Sequence, residues 1–339
     1  MRRVEVAGVD QIRLIEVDVP VPGVGELLVR TCSVGICGSD LHAIAGNHPF
    51  IDLPYWPGHE VVGIVEAASD NDGFTRGERV LVEPNLVCRS CRACRSGRYN
   101  LCEKLRVFGC QTPGAMADYF LIAADRAHTV PPGMSDAAAA LVEPLSTAVH
   151  AGRVAGALDG RRVVILGAGS IGLLTMLVAR SSGAAEIIVT DLVSTKRGRA
   201  IRLGADAAVA ADDPAAVRVI RERFGGAADV IFDCVSNQSS ISQAIELALS
   251  GGRVIVVGVA RGTVSVPLNL VQDREVALIG SAMYVGDDVR EAIALVERGA
   301  IPVEELVTAT FDLSAAVEAF TVARQGEQVK VHLTVHLPA

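Results

Sequence analysis

The chain has 339 residues, too many for one ordinary core, so two domains are expected. Hydrophobic residues make up 50% and charged residues 21%, which describes a folded globular protein and excludes a disordered one. A formal net charge of −8 speaks against broad nucleic-acid binding, because neutralising phosphates needs a basic face.

The first residues, "MRRVEVAGVDQIRLIEV", carry charges too often for the core of an export signal. The longest uncharged run, "VVILGAGSIGLLTMLVA" (163–179), is short for a membrane span and is punctuated by glycines. Both point to a cytoplasmic protein with no membrane partner, where disulfides are disfavoured.

Further along run "VGICGSDLHAIAG" (34–46) and "PYWPGHEVVGIVE" (54–66). Cys37, His59 and Glu60 offer a thiolate, an imidazole and a carboxylate, and with Zn²⁺ their charges sum to zero (+2 −1 −1). Three protein ligands and one open corner describe a catalytic zinc. Adjacent His59 and Glu60 would point apart in a regular strand, so both reach one ion only if the chain bends, and Pro57-Gly58 supplies a bend. Phe50, Tyr55 and Trp56 lie near these ligands and read equally well as cleft wall or as core.

"CRSCRACRSGRYNLC" (88–102) then places four cysteines at gaps of two, two and seven residues. Iron–sulfur runs close with a shorter final gap, and a redox pair needs two thiols rather than four. Tetrahedral zinc wants four soft ligands, and two-residue gaps let a tight loop aim successive thiolates at one point. Cys88, Cys91, Cys94 and Cys102 thus form a closed, structural zinc site. Arg89, Arg92, Arg95 and Arg98 read as a solvated face that offsets its charge from outside. Cys32, Cys110 and Cys234 have no partner motif and read as small buried apolar residues.

"GICGSDLH", "PGHEVVGIV" and the cysteine loop resemble the zinc-dependent medium-chain alcohol and polyol dehydrogenases, and the resemblance runs the whole length. It implies a GroES-like, β-rich catalytic domain (1–148 and 285–339, with the zinc lobe 88–102) and a Rossmann domain (149–284). It implies two zinc ions per chain, one catalytic on Cys37, His59 and Glu60 and one structural. It also brings Glu143, in "ALVEPLSTAVHA", to the catalytic zinc, as ligand or by holding water. Ser39, two residues past Cys37, and His42, three further on, match the family's proton relay. The relatives' dimers and tetramers, and apolar strands late in the chain, lead us to expect a homo-oligomer, with a tetramer favoured.

In the second half, "RRVVILG" (161–167) reads as a strand. "GAGSIG" follows, with Gly167, Gly169 and Gly172 in GxGxxG spacing and Ser170 and Ile171 between them, and a helix comes next. Asp191 closes the next strand, "AEIIVTD", 19 positions past the last glycine. Strand, turn, helix and acid in this order describe a dinucleotide site: the glycines let the backbone reach the pyrophosphate, which rests on the helix N-terminus. Asp191 would accept from the ribose hydroxyls and repel a 2′-phosphate, favouring NAD over NADP, with Lys196 and Arg197 as opposing cations. The alternation continues with a helix at 213–224, a strand at 228–235, a helix at 238–249 and strands at 253–259 and 275–281. This gives an α/β, doubly wound parallel sheet. The resemblance places Val257, Gly258 and Val259, and Ser281, Ala282 and Met283, at the nicotinamide end.

These features point to NAD-dependent oxidation of a secondary alcohol of a small polyol to a ketone. L-Threonine 3-dehydrogenase and 2,3-butanediol dehydrogenase share the motifs. A zinc-ribbon nucleic-acid binder and a zinc-free reductase are the readings from other classes.

Overall fold

The computed structural model describes residues 1–68 and 73–336, so the last three residues of the expected 285–339 segment lie outside the described part. The chain divides into two units. One comprises Met1–Glu143, Val285–Arg298 and Val303–Ala339, and the other Pro144–Tyr284 with Gly299–Pro302. The division falls within one long helix, Asp136–Ala155, at the Glu143–Pro144 step.

The second unit is built on a parallel six-stranded sheet among the described residues. Its spatial order is Ala207–Ala210, Glu186–Asp191, Arg162–Leu166, Ala228–Asp233, Ala248–Val256 and Ala277–Gly280. The central strand reads RVVIL, and Val163, Val164 and Ile165 are fully buried, as expected when helices cover both faces of a parallel sheet. The helices Ser170–Ser181 and Gln238–Leu247 occupy the expected places. The Ala207–Ala210 strand was not expected: "AAVA" has no β-branched run, and only pairing with Glu186–Asp191 draws it into the sheet. The helix expected from 213 starts at Ala216, because Asp213 turns back to accept a hydrogen bond from the Ala215 amide and leaves Pro214 in the turn.

The first unit is β-rich. Its main sheet runs Val307–Asp312, Lys330–Thr334, Glu26–Gly35, Glu60–Ala67, Arg79–Val82 and Ala127–Thr129, and Tyr119–Ala123 also pairs with Glu26–Gly35. Leu27, Val29, Val61, Val65, Phe120 and Phe320 fill its core. One register gathers polar side chains inside the sheet. His332 stands opposite Gly35, and Gly35 opposite Glu60, so three neighbouring strands bring Glu60 and His332 onto one face with a glycine between them. Lys330 and Ser33, two residues along their strands, share that face.

His332 is 1% exposed; its Nδ1 lies 3.2 Å from Ser33 Oγ, and burial pushes its pKa down from 6.5 to about 4. The folded chain therefore binds fewer protons than the unfolded chain between those values. The stability from this group is complete above pH 6.5 and is lost as the pH falls toward 4. The full loss is about 3 kcal/mol. Between pH 7 and pH 4.5, the urea midpoint of His332→Asn should therefore fall less than that of the wild type; parallel declines would show that His332 does not titrate in this window.

Candidate active site

Cys37 caps the helix Gly38–Ile44. Its Sγ accepts from the Ser39 amide at 3.5 Å, while Asp40 accepts from the Cys37 amide at 2.9 Å. Asp40 is fully buried and is held in turn by the Tyr55 hydroxyl at 3.3 Å. Tyr55 is thus core, whereas Phe50 is largely exposed. The bend before Glu60 is present. Gly58 has φ +112°, and a Cβ there would fall 2.4 Å from the Met116 amide nitrogen. The Met116 and Ala115 amides bond the Pro57 and Gly58 carbonyls at 3.0 and 2.8 Å. Pinned this way, the chain aims His59 and Glu60 at one point despite their adjacency. Ligand atoms of Cys37, His59 and Glu60 all lie within 4.8 Å of one another.

Two residues join this group that the sequence did not reveal. Lys330 forms a buried ion pair with Glu60 Oε1. The polar residues of "VKVHLTV" alternate with apolar ones, which reads as a solvent face, yet Lys330 and His332 are both buried. Cys110, expected to be an inert core thiol, has its Sγ 3.9 Å from His59 Nδ1. Its sequence neighbours carry no ligand spacing; it arrives because Gly109 packs directly on the Gly58 backbone.

The electrostatics suit a cation. Burial disfavours a protonated His59, yet Cys110 and Cys37 outweigh it and raise its pKa well above the ordinary value. Burial likewise opposes the Glu60 carboxylate, and Lys330 and His59 overcome it, holding its pKa low. Glu60 Oε2 is buried with no hydrogen-bond partner among the described residues. It lies over Gly35, where a Cβ would fall 2.2 Å away. An orphaned carboxylate oxygen, a thiolate and an imidazole fit a zinc ion. Lys330 adds +1 to the neutral sum that Zn²⁺, Cys37 and Glu60 would have. Glu143 stands outside this three-residue group, near enough to help raise the Lys330 pKa, behind the larger effects of burial, which opposes, and of Glu60 and Cys37. Ser39 and His42 lie three residues apart on the Gly38–Ile44 helix, hence on one side of it.

The four-cysteine lobe hangs between the short paired strands Asn85–Leu86 and Arg106–Val107. Ligand atoms of Cys88, Cys91, Cys94 and Cys102 lie within 4.8 Å of one another. Amides of Cys91, and of Cys88 and Lys104, point at the Cys88 and Cys102 sulfurs at 3.3–3.4 Å. Donors from Ser90 and the Cys91 amide hold the Cys88 thiol down to about 5. Desolvation and the neighbouring thiols push Cys94 up to about 12. Four thiolates cannot crowd together without a cation, and a tetrahedral zinc meets that need. Arg89 pairs with Asp125. Arg126 sits 5.3 Å over the Tyr99 ring and pairs with buried Glu83, which also meets His128.

In the second unit, Gly167 has φ +95°, and a Cβ on Gly172 would fall 1.8 Å from the Gly167 carbonyl oxygen. Space around the Cα of Gly169, which caps the helix Ser170–Ser181, is open. These are the properties a pyrophosphate cradle needs. The Asp191 carboxylate already accepts from the Ala168 and Val193 amides, at 2.9 and 2.8 Å, with lone pairs to spare. Arg197 bonds the Asp191 and Leu192 carbonyls at 2.8 Å, while Lys196 is half-buried. Asp191 ends its parallel strand, and the Gly167–Gly172 loop, Val257–Val259 and Ser281–Met283 follow the C-terminal ends of theirs, where open α/β sheets bind ligands. Amides of Val257 and Gly258 bond the Asp233 carbonyl at 2.9 and 3.0 Å.

Two family models match, "Alcohol dehydrogenase GroES-like domain" over residues 23–132 and "Zinc-binding dehydrogenase" over 170–298. Sorbitol dehydrogenase of Bombyx mori is 34% identical over 337 residues, 97% of each chain. The chain belongs to the zinc-binding medium-chain alcohol and polyol dehydrogenases. Within that family, L-galactonate-5-dehydrogenase of Escherichia coli (strain K12) is 33% identical over 310 residues, 89% of each chain. A solved Sinorhizobium meliloti 1021 structure with NADP bound shares 32% identity and a TM-score of 0.92 over 98% of each chain. The fold is accordingly a GroES-like domain and a Rossmann-like parallel sheet, and the protein is a dehydrogenase of alcohols. Among the described residues no helix is long and apolar enough to cross a membrane.

The two thiol sites should separate by mutation. Cys37→Ser should lose one zinc per chain and at least a hundredfold in turnover with Tm nearly unchanged, because an open three-ligand site loses its soft ligand. Cys94→Ser should also lose one zinc, melt several degrees lower and keep turnover per folded chain within threefold. Elemental analysis with calorimetry checks both, and a hundredfold loss of turnover in Cys94→Ser at unchanged Tm would reverse the assignment.

Proposed function

We propose that this enzyme oxidises a secondary hydroxyl of a small polyol to a ketone, with NAD⁺ as hydride acceptor. The observation that carries the reading is the convergence of one thiolate, one imidazole and one carboxylate, a ligand set short of four, in a chain similar to sorbitol dehydrogenase along 97% of its length. Cys37, His59 and Glu60 would hold the zinc, which supplies Lewis-acid activation of the hydroxyl when bound. Cys37 is fixed as a helix cap and Glu60 by Lys330, so neither ligand must reorganise. The proton released passes to the Ser39 hydroxyl and on to His42 on the same side of the helix, which returns it to solvent. Glu143 would serve the metal site either as a ligand or by holding water there. The Gly167–Gly172 loop cradles the cofactor's pyrophosphate, Ser170 and Ile171 present the helix amides, and Asp191 takes the ribose hydroxyls. Val257–Val259 and Ser281–Met283 border the nicotinamide. The open edge strand Ala277–Gly280, with Leu278 38% exposed, supports association into a homo-oligomer.

A sugar acid is the second reading, favoured by the likeness to L-galactonate-5-dehydrogenase. Threonine and 2,3-butanediol are further candidates. NAD⁺ or NADP⁺ reduction should be followed with C4–C6 polyols, hexonates, threonine and butanediols at one pH. The expected result is a kcat/KM for a polyol with NAD⁺ at least tenfold above every other pair; a hexonate or threonine leading the panel would replace the proposed substrate. Asp191→Ala should shift the NAD⁺/NADP⁺ preference toward NADP⁺ by at least tenfold. An unchanged ratio would mean that Asp191 serves only its two backbone amides.

A further inference from the structure

Lys330 lies 270 residues from Glu60 in sequence, yet the two side chains are 2% and 1% exposed and form an ion pair. A lysine so deep in a core is rare unless it is paired. Its placement touches both ligand-bearing segments. Nζ meets Glu60 Oε1 and also donates to the Ile36 carbonyl, at 3.3 Å, one residue before Cys37. The Ile36 amide donates to the carbonyl of Val331, the next residue on the Lys330 strand, at 2.9 Å. Lys330 thus ties the start of the Cys37 turn to the start of the Glu60 strand.

The two Glu60 oxygens are treated differently. Oε1 is engaged by the ammonium; Oε2 is buried, lies over Gly35 and has no hydrogen-bond partner among the described residues. A carboxylate with both oxygens free could bind a metal through both. With one oxygen held by a cation, whose charge repels a metal from that side, the other oxygen is the favoured ligand.

We propose that Lys330 is a positioning residue for the metal: it holds Glu60 Oε1, so that Glu60 binds through Oε2 alone and a coordination place stays open. The inference rests on the reading of Cys37, His59 and Glu60 as a metal site. Gly35 serves the same end, since no other residue leaves room for Oε2 there.

The test uses full-length enzyme, with zinc counted by elemental analysis and affinity measured by competition with a chromophoric chelator. Lys330→Met should weaken the Cys37/His59/Glu60 site 10- to 100-fold, the range typical of lost outer-shell partners, while the four-cysteine ion stays as an internal control. With Co²⁺ in that site and zinc in the lobe, the visible bands should change intensity as Glu60 takes a second bond. Glu60→Gln leaves a buried ammonium facing the ion, so Glu60→Gln/Lys330→Met should bind zinc more tightly than Glu60→Gln alone. A lysine that merely supports the fold would make the double variant weaker than Glu60→Gln.

Wild-type zinc affinity and cobalt spectrum in Lys330→Met would overturn the proposal, and so would independent, additive losses in the double variant. Should Lys330→Met not fold, a crystal structure of the zinc-loaded wild type decides. Lys330 on Oε1 with the ion on Oε2 supports the proposal, and both oxygens on the ion overturn it. One zinc per wild-type chain, confined to the lobe, would overturn the metal-site reading as well; two per chain with an indifferent Lys330→Met overturns this inference alone.

Discussion

A carboxylate sits fully buried at Glu60, and the first unit is arranged around the need to answer its charge. An isolated buried ion costs several kcal/mol, so Glu60 can stay charged only with cations beside it. Lys330 is one, held on the same face of the sheet by the strand pairing Lys330–Thr334 with Glu26–Gly35. A metal would be the other, held where a Glu60 oxygen, Cys37 and His59 come within 4.8 Å of one another. Gly35 is the steric condition for both, because any side chain there would displace the carboxylate. The C-terminal strand is therefore part of the site, although it carries no ligand.

The two thiol-bearing sites differ as closed and open sites should. The lobe offers four equivalent soft donors, with amides turned toward the sulfurs, and leaves no place for a reactant. Its anchoring runs through buried Glu83, which pairs with Arg126 and His128, and through Tyr99 under the Arg126 guanidinium. The other site mixes donor types, includes a carboxylate already shared with Lys330, and stops at three. Chemistry belongs to the second kind and stability to the first.

What could be read from the sequence was whatever sits within a short stretch of chain. The four cysteines, the Pro-Gly bend before His59-Glu60 and the glycine-rich turn declare themselves by spacing, because local geometry alone brings their atoms together. Lys330, His332 and Cys110 do not. Lys330 reaches Glu60 through register across three strands, and Cys110 reaches His59 through one Gly-on-Gly contact. Polar residues alternating with apolar ones in the last strand imitate a solvent face, and nothing local says that another layer covers it. The Ala207–Ala210 strand was hidden for a similar reason, since alanines acquire strand character only from the neighbour they pair with.

The central claim is that turnover depends on one metal ion and lobe stability on another. Stepwise removal of zinc from the native enzyme by a chelator tests it most directly, with zinc per chain, turnover and Tm followed together. The ion at Cys37, His59 and Glu60 should leave first and take turnover with it at nearly constant Tm; loss of the second ion should then lower Tm. Turnover that survives the first loss, or a Tm that falls in step with it, would contradict the account.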